Sequence, residues 1–152
     1  MTQSAGACTH VLFAIAIHRH FHFMNHPNMI AIYHNPRCAK SRAGLEYLKN
    51  QGVDFEVIEY LKHPFTRESL KDLLMKLNLG PRDILRTGEA VYKEKFRGKN
   101  FTDEEWITIL LENPNLIRRP IVVNGYKAVV AQPPNEIDRL LSDHAINQYC
   151  HS

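Results

Sequence analysis

The stretch "AIYHNPRCAKSR", residues 31–42, joins an apolar segment to a helical pattern through a short polar turn. Residues 29–33 form a short apolar run, which predicts a buried strand. Residues 39–51 have the apolar spacing of a helix that ends at a glycine. Cys38 lies between the two, flanked by basic residues. The sequence therefore puts one thiol at the start of a predicted helix, among positive charges.

Residues 55–119 predict a second strand followed by a mostly helical block. Residues 55–60 alternate in polarity as a strand does. Thr66 is placed to cap a helix, and short helical pieces are predicted from 86 to 96. The sequence "FTDEEW", residues 101–106, contains a capping box and a hydrophobic staple, which predict the start of a further helix. The helix after Thr66 has an apolar stripe that consists of Leu70, Leu73, Leu74 and Leu77.

Residues 120–143 predict a hairpin and a last helix. Residues 120–130, "PIVVNGYKAVV", read as a hairpin with an Asn-Gly turn. Residues 133–143 open with two prolines and predict a short helix. A strand–helix–strand start favours a parallel pair with a right-handed crossover, and the hairpin adds antiparallel strands. The predicted fold class is therefore α/β, a four-stranded mixed sheet with flanking helices and a helical insertion between Tyr60 and Pro120.

Length, charge and cysteine usage narrow the class of protein. A chain of 152 residues favours one domain, and a net charge of +3 with scattered basic residues gives no reason to expect nucleic-acid binding. No apolar run reaches the ~18 residues that span a bilayer. The three cysteines, Cys8, Cys38 and Cys150, are odd in number and far apart, which favours neither a disulfide framework nor a metal site. A reducing cytoplasm is the expected location.

The composition divides the chain into three parts. Residues 1–28 contain no acidic residue and five of the nine histidines, and we predict a disordered N-terminal extension there. The alternating "HRHFHF" of this part could bind a metal, although a disordered histidine-rich tail is the preferred interpretation. Residues 29–142 carry the predicted domain, and residues 143–152 form a C-terminal tail without a strong signal.

The position of Cys38 predicts a reactive thiol. A helix start offers unpaired N–H groups and partial positive charge, which stabilise a thiolate and lower the pKa of the thiol. The same groups attract an oxyanion. Ser41 completes a C-x-x-S motif, so no disulfide can form within it and any adduct on Cys38 needs an outside thiol. The alternative is a cysteine that acts as a small buried apolar residue, which is less usual in a polar turn.

Two motifs together resemble a known family. "IYHNPRCAKSR", residues 32–42, and "LIRRPIVV", residues 116–123, are similar to the glutaredoxin-linked arsenate reductases, and the resemblance covers about residues 29–142. It implies a thioredoxin-like fold. It also implies that Cys38 attacks arsenate, that glutathione attacks the adduct, and that glutaredoxin clears the mixed disulfide after arsenite leaves. No bound cofactor is implied, since glutathione is a co-substrate.

The resemblance also assigns residues of the site. Arg86 in "DILRTGE" and Arg119 match the family's oxyanion-binding arginines, and a planar guanidinium suits that task. His34 matches a histidine that tunes the thiol, although an ordinary hydrogen-bonded loop histidine is equally compatible with the sequence. Pro120 is expected to follow a cis peptide bond beside the cysteine. The supporting residues are then His34, Asn35, Ser41, Arg42 and Pro120.

One position departs from the family pattern. Typical members have a third arginine before a proline after the hairpin, where "VVAQPPNE" has Gln132 at or next to that place. Loss of one cation weakens anion binding by one to a few kcal/mol, roughly. Two alternatives therefore stay open: a glutathione-dependent thiol oxidoreductase with another substrate, and an Spx-type redox regulator that binds RNA polymerase. Ser41 argues against the regulator, because most sensors of that group have C-x-x-C.

Overall fold

The computed structural model describes residues 29–142. The predictions for residues 1–28, for residues 143–152 and for Cys8 and Cys150 lie outside the described residues. The strands are β1 Ile30–His34, β2 Phe55–Glu59, β3 Ile121–Asn124 and β4 Lys127–Val130, and the helices are α1 Ala39–Asn50, α2 Arg67–Leu77, α3 Ala90–Lys95 and α4 Asp103–Glu112. Two 3₁₀ helices, Pro114–Leu116 and Pro134–Ile137, follow α4 and β4. The predicted last helix over 133–143 begins as the second 3₁₀ helix and is α-helical from 138 to 142, where the described residues end.

The four strands form one mixed sheet in the order β2-β1-β3-β4. Strand β1 pairs parallel with β2 and antiparallel with β3, and β3 pairs antiparallel with β4. In the centre of the sheet Ile32 is paired with Val57 on one side and Val122 on the other. The predicted α/β class and the four-stranded mixed sheet are confirmed, with α2, α3 and α4 inserted between β2 and β3.

Strand β1 lies between β2 and β3 in the sheet, and both of its faces are buried. Ala31 and Tyr33 face one core, which contains the apolar residues of α2 and α4. Ile30 and Ile32 face a second core, which contains Leu48 of α1. A strand that is covered on both faces appears in the sequence as a continuous apolar run. No helix within residues 29–142 is long and apolar enough to span a membrane.

The helix starts are set by the caps that the sequence predicts. The Thr66 hydroxyl accepts from the N–H of Ser69, and the Thr102 hydroxyl accepts from the N–H of Glu105, each within a full capping box. The rings of Phe101 and Trp106 lie 4.9 Å apart between centroids, as the predicted staple requires. All four leucines of the predicted stripe on α2 are buried.

Two local predictions are corrected. The hairpin turn has Gly125 and Tyr126 at its centre, because Asn124 still pairs with Lys127. Gly125 has a φ of 56°, and Gly at the first central position is typical of a type II′ turn. Of the short helical pieces predicted from 86 to 96, only α3 forms.

The residue before Arg86 is extended rather than helical. Leu85 and Ile117 form an isolated antiparallel bridge. The Arg86 N–H donates to the Leu116 carbonyl at 2.8 Å, and the Arg118 N–H donates to the Ile84 carbonyl at 2.8 Å. This bridge brings the segment of Arg86 beside the segment that leads into β3.

A close approach between α1 and the start of β3 fixes the other side of the site. The Arg119–Pro120 peptide bond is cis, as predicted. Pro120 is buried and lies so close to Gly44 of α1 that a β-carbon on Gly44 would overlap its ring. Because α1 begins just after Cys38, this packing determines how near the thiol lies to Arg119.

We expect Gly44→Ala to destabilise the protein. The substitution gains up to about 1 kcal/mol of helix propensity, but overpacking a closed interface costs about 1–3 kcal/mol. The net fall in the free energy of unfolding from urea denaturation should therefore be about 2 kcal/mol, when the upper part of that cost applies to so close a contact. Gly88→Ala is the matched control, because its added β-carbon meets no atom within 4 Å. Equal unfolding free energies for the two variants would contradict the packing argument.

Candidate active site

A hydrogen-bonded turn holds Cys38 at the start of α1. The Cys38 N–H donates to the Asn35 carbonyl at 3.0 Å, and the Arg37 N–H donates to the Asn35 side-chain oxygen at 3.0 Å. The Arg42 guanidinium reaches back from α1 and donates to the Pro36 carbonyl at 2.9 Å. Asn35 and Arg42, predicted as supporting residues, thus shape the turn that presents the thiol.

His34 and Ser41 form a buried pair beneath this turn. The Ser41 hydroxyl lies 2.9 Å from Nδ1 of His34 and accepts from the Asn35 N–H at 3.0 Å. Burial lowers the pKa of His34, and the charges of Arg42 and Lys49 lower it further. Ser41 and Glu59 raise the pKa, but by less than the other groups lower it. A neutral imidazole is therefore favoured. The Ser41 hydroxyl thus connects the His34 ring to the turn that holds Cys38.

Cys38 is the N-cap residue of α1 and its thiol is partly exposed. Burial by itself would raise the pKa of the Cys38 thiol. The N–H of Ser41, the guanidinium of Arg119 and the N–H of Lys40 favour the thiolate and outweigh burial, so the pKa is lowered. The expected reactive thiol therefore has a physical basis in the first turn of α1 and in one buried arginine.

Arg119 is buried beside the thiol, with 8% of its surface exposed. Its Nη1 donates to the Asn115 carbonyl at 2.9 Å, while its Nε has no hydrogen-bond partner among the described residues. The buried Tyr60 hydroxyl likewise has no hydrogen-bond partner within residues 29–142. Burial raises the pKa of Tyr60, and the nearby Arg119 lowers it by less. A buried donor without a partner costs free energy unless a bound group satisfies it.

Arg86 faces the site from the Leu85–Ile117 bridge. Its Nη1 forms an ion pair with the Glu89 carboxylate and also donates to the Asn115 carbonyl at 3.3 Å. The same carbonyl thus accepts from Arg86 and Arg119. One backbone oxygen therefore holds the two predicted oxyanion-binding side chains near each other, and a carboxylate compensates the charge of one of them.

The thiol opens into a polar cleft of about 550 Å³. Arg86 lines the cleft, whereas Arg119 does not, since it is buried beside the thiol. The lining residues are Cys38, Lys40, Leu85, Arg86, Thr87, Gly88, Glu89, Arg118 and Gln132. Within residues 29–142 no group of three His, Cys, Asp or Glu side chains is arranged to hold a metal ion.

Gln132 lies in the cleft wall, close to Arg119. Its side-chain amide donates a short hydrogen bond to the Arg119 carbonyl, and it precedes a second cis proline, Pro133. The residue that departs from the family pattern therefore does reach the site. It brings a neutral amide to, or next to, the place where the resemblance implies a guanidinium.

Four contributors to the site were not found from the sequence. Asn115 acts through its backbone carbonyl, Glu89 compensates Arg86, Tyr60 lies beside Arg119, and Arg118 lines the cleft. The spacing of Glu89 three residues after Arg86 was an available signal for an ion pair. The doubled arginine at 118 and 119 was visible, but only the fold shows that one is exposed and the other buried.

The fold and the cysteine define the class of protein: a thioredoxin-like α/β domain with an activated thiol at the start of its first helix. Residues 33–140 match the sequence profile of the ArsC family. The chain belongs to the ArsC family.

Named relatives and a solved structure support this assignment. The chain is 38% identical over 114 residues to an arsenate reductase of Neisseria meningitidis, a match that covers 74% of this chain and 97% of that protein. It is 41% identical over 110 residues to the uncharacterized protein YfgD of Escherichia coli, which covers 71% and 92% of the two chains. The structure of an arsenate reductase from Vibrio cholerae superposes with a TM-score of 0.70 at 38% identity, covering 76% and 99%.

We expect Ser41→Ala to destabilise the fold. The substitution leaves the buried Asn35 N–H and the His34 ring nitrogen without the hydroxyl between them. The expected loss in the free energy of unfolding is about 1–3 kcal/mol. Ser142→Ala is the control, because the one partner of its exposed hydroxyl among residues 29–142 is the Asp138 carbonyl, and its effect should stay within about 0.5 kcal/mol. A neutral Ser41→Ala would show that the buried pair does not stabilise the turn.

The pKa of Cys38 should depend on Arg119. A lowered thiol pKa keeps the thiolate populated to lower pH, so alkylation by iodoacetamide should slow only once the pH falls below that pKa. Arg119→Gln should move this midpoint upward, and Arg119→Lys, which keeps the charge, should move it less. The measurement is the alkylation rate against pH. An unchanged midpoint in folded Arg119→Gln would refute the role of Arg119 in stabilising the thiolate.

Proposed function

We propose that this protein is an arsenate reductase in which the Cys38 thiolate attacks arsenate. The observation that carries the proposal is the environment of one side chain: Cys38 caps α1, its pKa is lowered, and it opens into a cleft with Arg86 in the wall. The membership in the ArsC family, whose named relatives include arsenate reductases, supports the same reaction.

Two arginines have separate tasks in the proposed reaction. Arg86 lines the cleft and is the guanidinium that contacts the incoming oxyanion. Arg119 favours the thiolate before attack, and its unpartnered Nε is a donor for the negative charge that develops on the adduct. Both donate to the Asn115 carbonyl, which holds the two guanidinium groups near each other.

The proposed reaction uses two thiols, because reduction of arsenate to arsenite takes two electrons. Arsenate, Cys38 and glutathione give arsenite, water and a mixed disulfide of Cys38 with glutathione. Cys38 is the only cysteine in residues 29–142, and position 41 is a serine, so no second thiol of this domain can take the place of glutathione. A glutaredoxin thiolate then attacks the glutathione sulfur, which releases Cys38 as the thiolate.

Gln132 favours a second candidate, a thiol oxidoreductase that handles glutathione adducts. The cleft holds a neutral amide at Gln132, and Glu89 compensates Arg86. An anion of high charge gains less from such a site than from one with a further fixed guanidinium. The chemistry at Cys38 would be the same thiol exchange, without the oxyanion.

Arsenate reduction is tested by coupling it to NADPH consumption. The assay contains arsenate, glutathione, glutaredoxin and glutathione reductase, and the rate is the arsenate-dependent loss of NADPH absorbance. We expect turnover by the wild type and a loss of about 1,000-fold or more for Cys38→Ser, because a serine hydroxyl is a far weaker nucleophile and forms no disulfide.

Cys150→Ser is the matched control and should keep the wild-type rate, since the proposed reaction uses no thiol outside the domain. Wild-type protein that reacts rapidly with a thiol probe but gives no arsenate-dependent rate would overturn the arsenate proposal and favour the thiol oxidoreductase.

A further inference from the structure

A second groove adjoins the cleft that contains Cys38. It has a volume of about 400 Å³ and shares three lining residues with the cleft: Lys40, Arg118 and Gln132. Its other lining residues are Ala43, Ala131, Pro133 and Pro134. Because the two cavities meet at the same three residues, a molecule with its reactive atom at Cys38 can extend into this second groove.

The junction carries two positive charges that nothing in the domain compensates. Within residues 29–142, neither Lys40 nor Arg118 forms an ion pair or a side-chain hydrogen bond, and both are exposed. Arg86, by contrast, is paired with Glu89. No carboxylate lines the second groove. The two cations are therefore available to an anion from solution.

The remaining surface of the second groove is apolar or amide. Ala43, Ala131 and the two prolines present short aliphatic surface, and the side-chain oxygen of Gln132, whose nitrogen already donates to Arg119, can accept from a peptide N–H. A bare oxyanion uses neither aliphatic surface nor an acceptor oxygen. A short peptide with a carboxylate uses all of them, because its stem packs on the aliphatic surface while its charge meets a cation.

We infer that the second groove binds the peptide part of a small anionic thiol of the glutathione class, with a carboxylate on Lys40 and Arg118 and the sulfur at Cys38. This assigns a place to the thiol co-substrate of the proposed function and rests on it to that extent. It also gives a use to Gln132: a neutral amide at the junction leaves room for a peptide between the two cavities.

Thiol exchange without arsenate tests the inference. The Cys38 thiolate attacks oxidised glutathione, the bond between its two sulfurs breaks, a bond from Cys38 to one sulfur forms, and the other half leaves as glutathione thiolate. The neutral 2-hydroxyethyl disulfide undergoes the same step without carboxylates. The quantity measured is the second-order rate constant for oxidised glutathione divided by that for 2-hydroxyethyl disulfide. The intrinsic reactivity of the Cys38 thiolate cancels in this ratio.

Lys40→Gln and Arg118→Gln should each lower this ratio by about threefold to tenfold, as expected for the loss of one charge-assisted contact at a partly exposed site. Lys99→Gln and Arg97→Gln remove the same charges from the loop between α3 and α4, away from both cavities, and should keep the ratio within about twofold.

A ratio in Lys40→Gln and Arg118→Gln that equals the ratio in the two control variants would overturn the inference. The assay contains no arsenate, so its outcome is separate from that of the reductase assay. Arsenate turnover with an unchanged ratio would keep the proposed function and reject the groove as the thiol site. A lowered ratio without arsenate turnover would support the groove and reject arsenate as the substrate.

Discussion

The close approach of Pro120 to Gly44 is the constraint on which the site depends. The start of β3 can lie against α1 only because position 44 has no side chain. Arg119 precedes Pro120 and Cys38 precedes α1, so the same packing brings a buried guanidinium beside the thiol. The interface is closed by apolar contact, which is insensitive to salt and pH, and it therefore keeps the charge near the thiol under all conditions in which the domain is folded.

Backbone groups, more than side chains, organise the charges around Cys38. The N–H groups of Lys40 and Ser41 favour the thiolate from one side, and the Asn115 carbonyl orients Arg86 and Arg119 from the other. Backbone dipoles are held by the helix and by the 3₁₀ turn, so they need no reorganisation when charge develops at the sulfur. The arginines add charge to a frame that the main chain already provides.

The sequence predicted those features that depend on residues close to one another in the chain. The N-cap at Thr66, the capping box of Thr102, the leucine stripe of α2 and the helix start at Cys38 depend on residues within four positions of one another, and all were predicted correctly. The capping box that Ser69 completes with Thr66 was not predicted. The shift of the hairpin turn was missed, because an Asn-Gly pair leaves the pairing of Asn124 with Lys127 undetermined. The roles of Tyr60 and Asn115 depend on contacts across the sheet and on a backbone carbonyl, for which no residue type is diagnostic.

The electrostatic interactions of the cations in the site differ in how strongly salt screens them. Two unit charges 4 Å apart interact by about 4 kcal/mol at the effective dielectric constant of a protein surface but only by about 1 kcal/mol in bulk water. Arg119 is buried, so its effect on the thiolate is screened little. Lys40 and Arg118 are exposed, so the attraction they exert on an approaching anion declines as ionic strength rises. Activation of the thiol and attraction of an anion are thus separate physical tasks, the first carried out by a buried guanidinium and the second by exposed cations in the cleft wall.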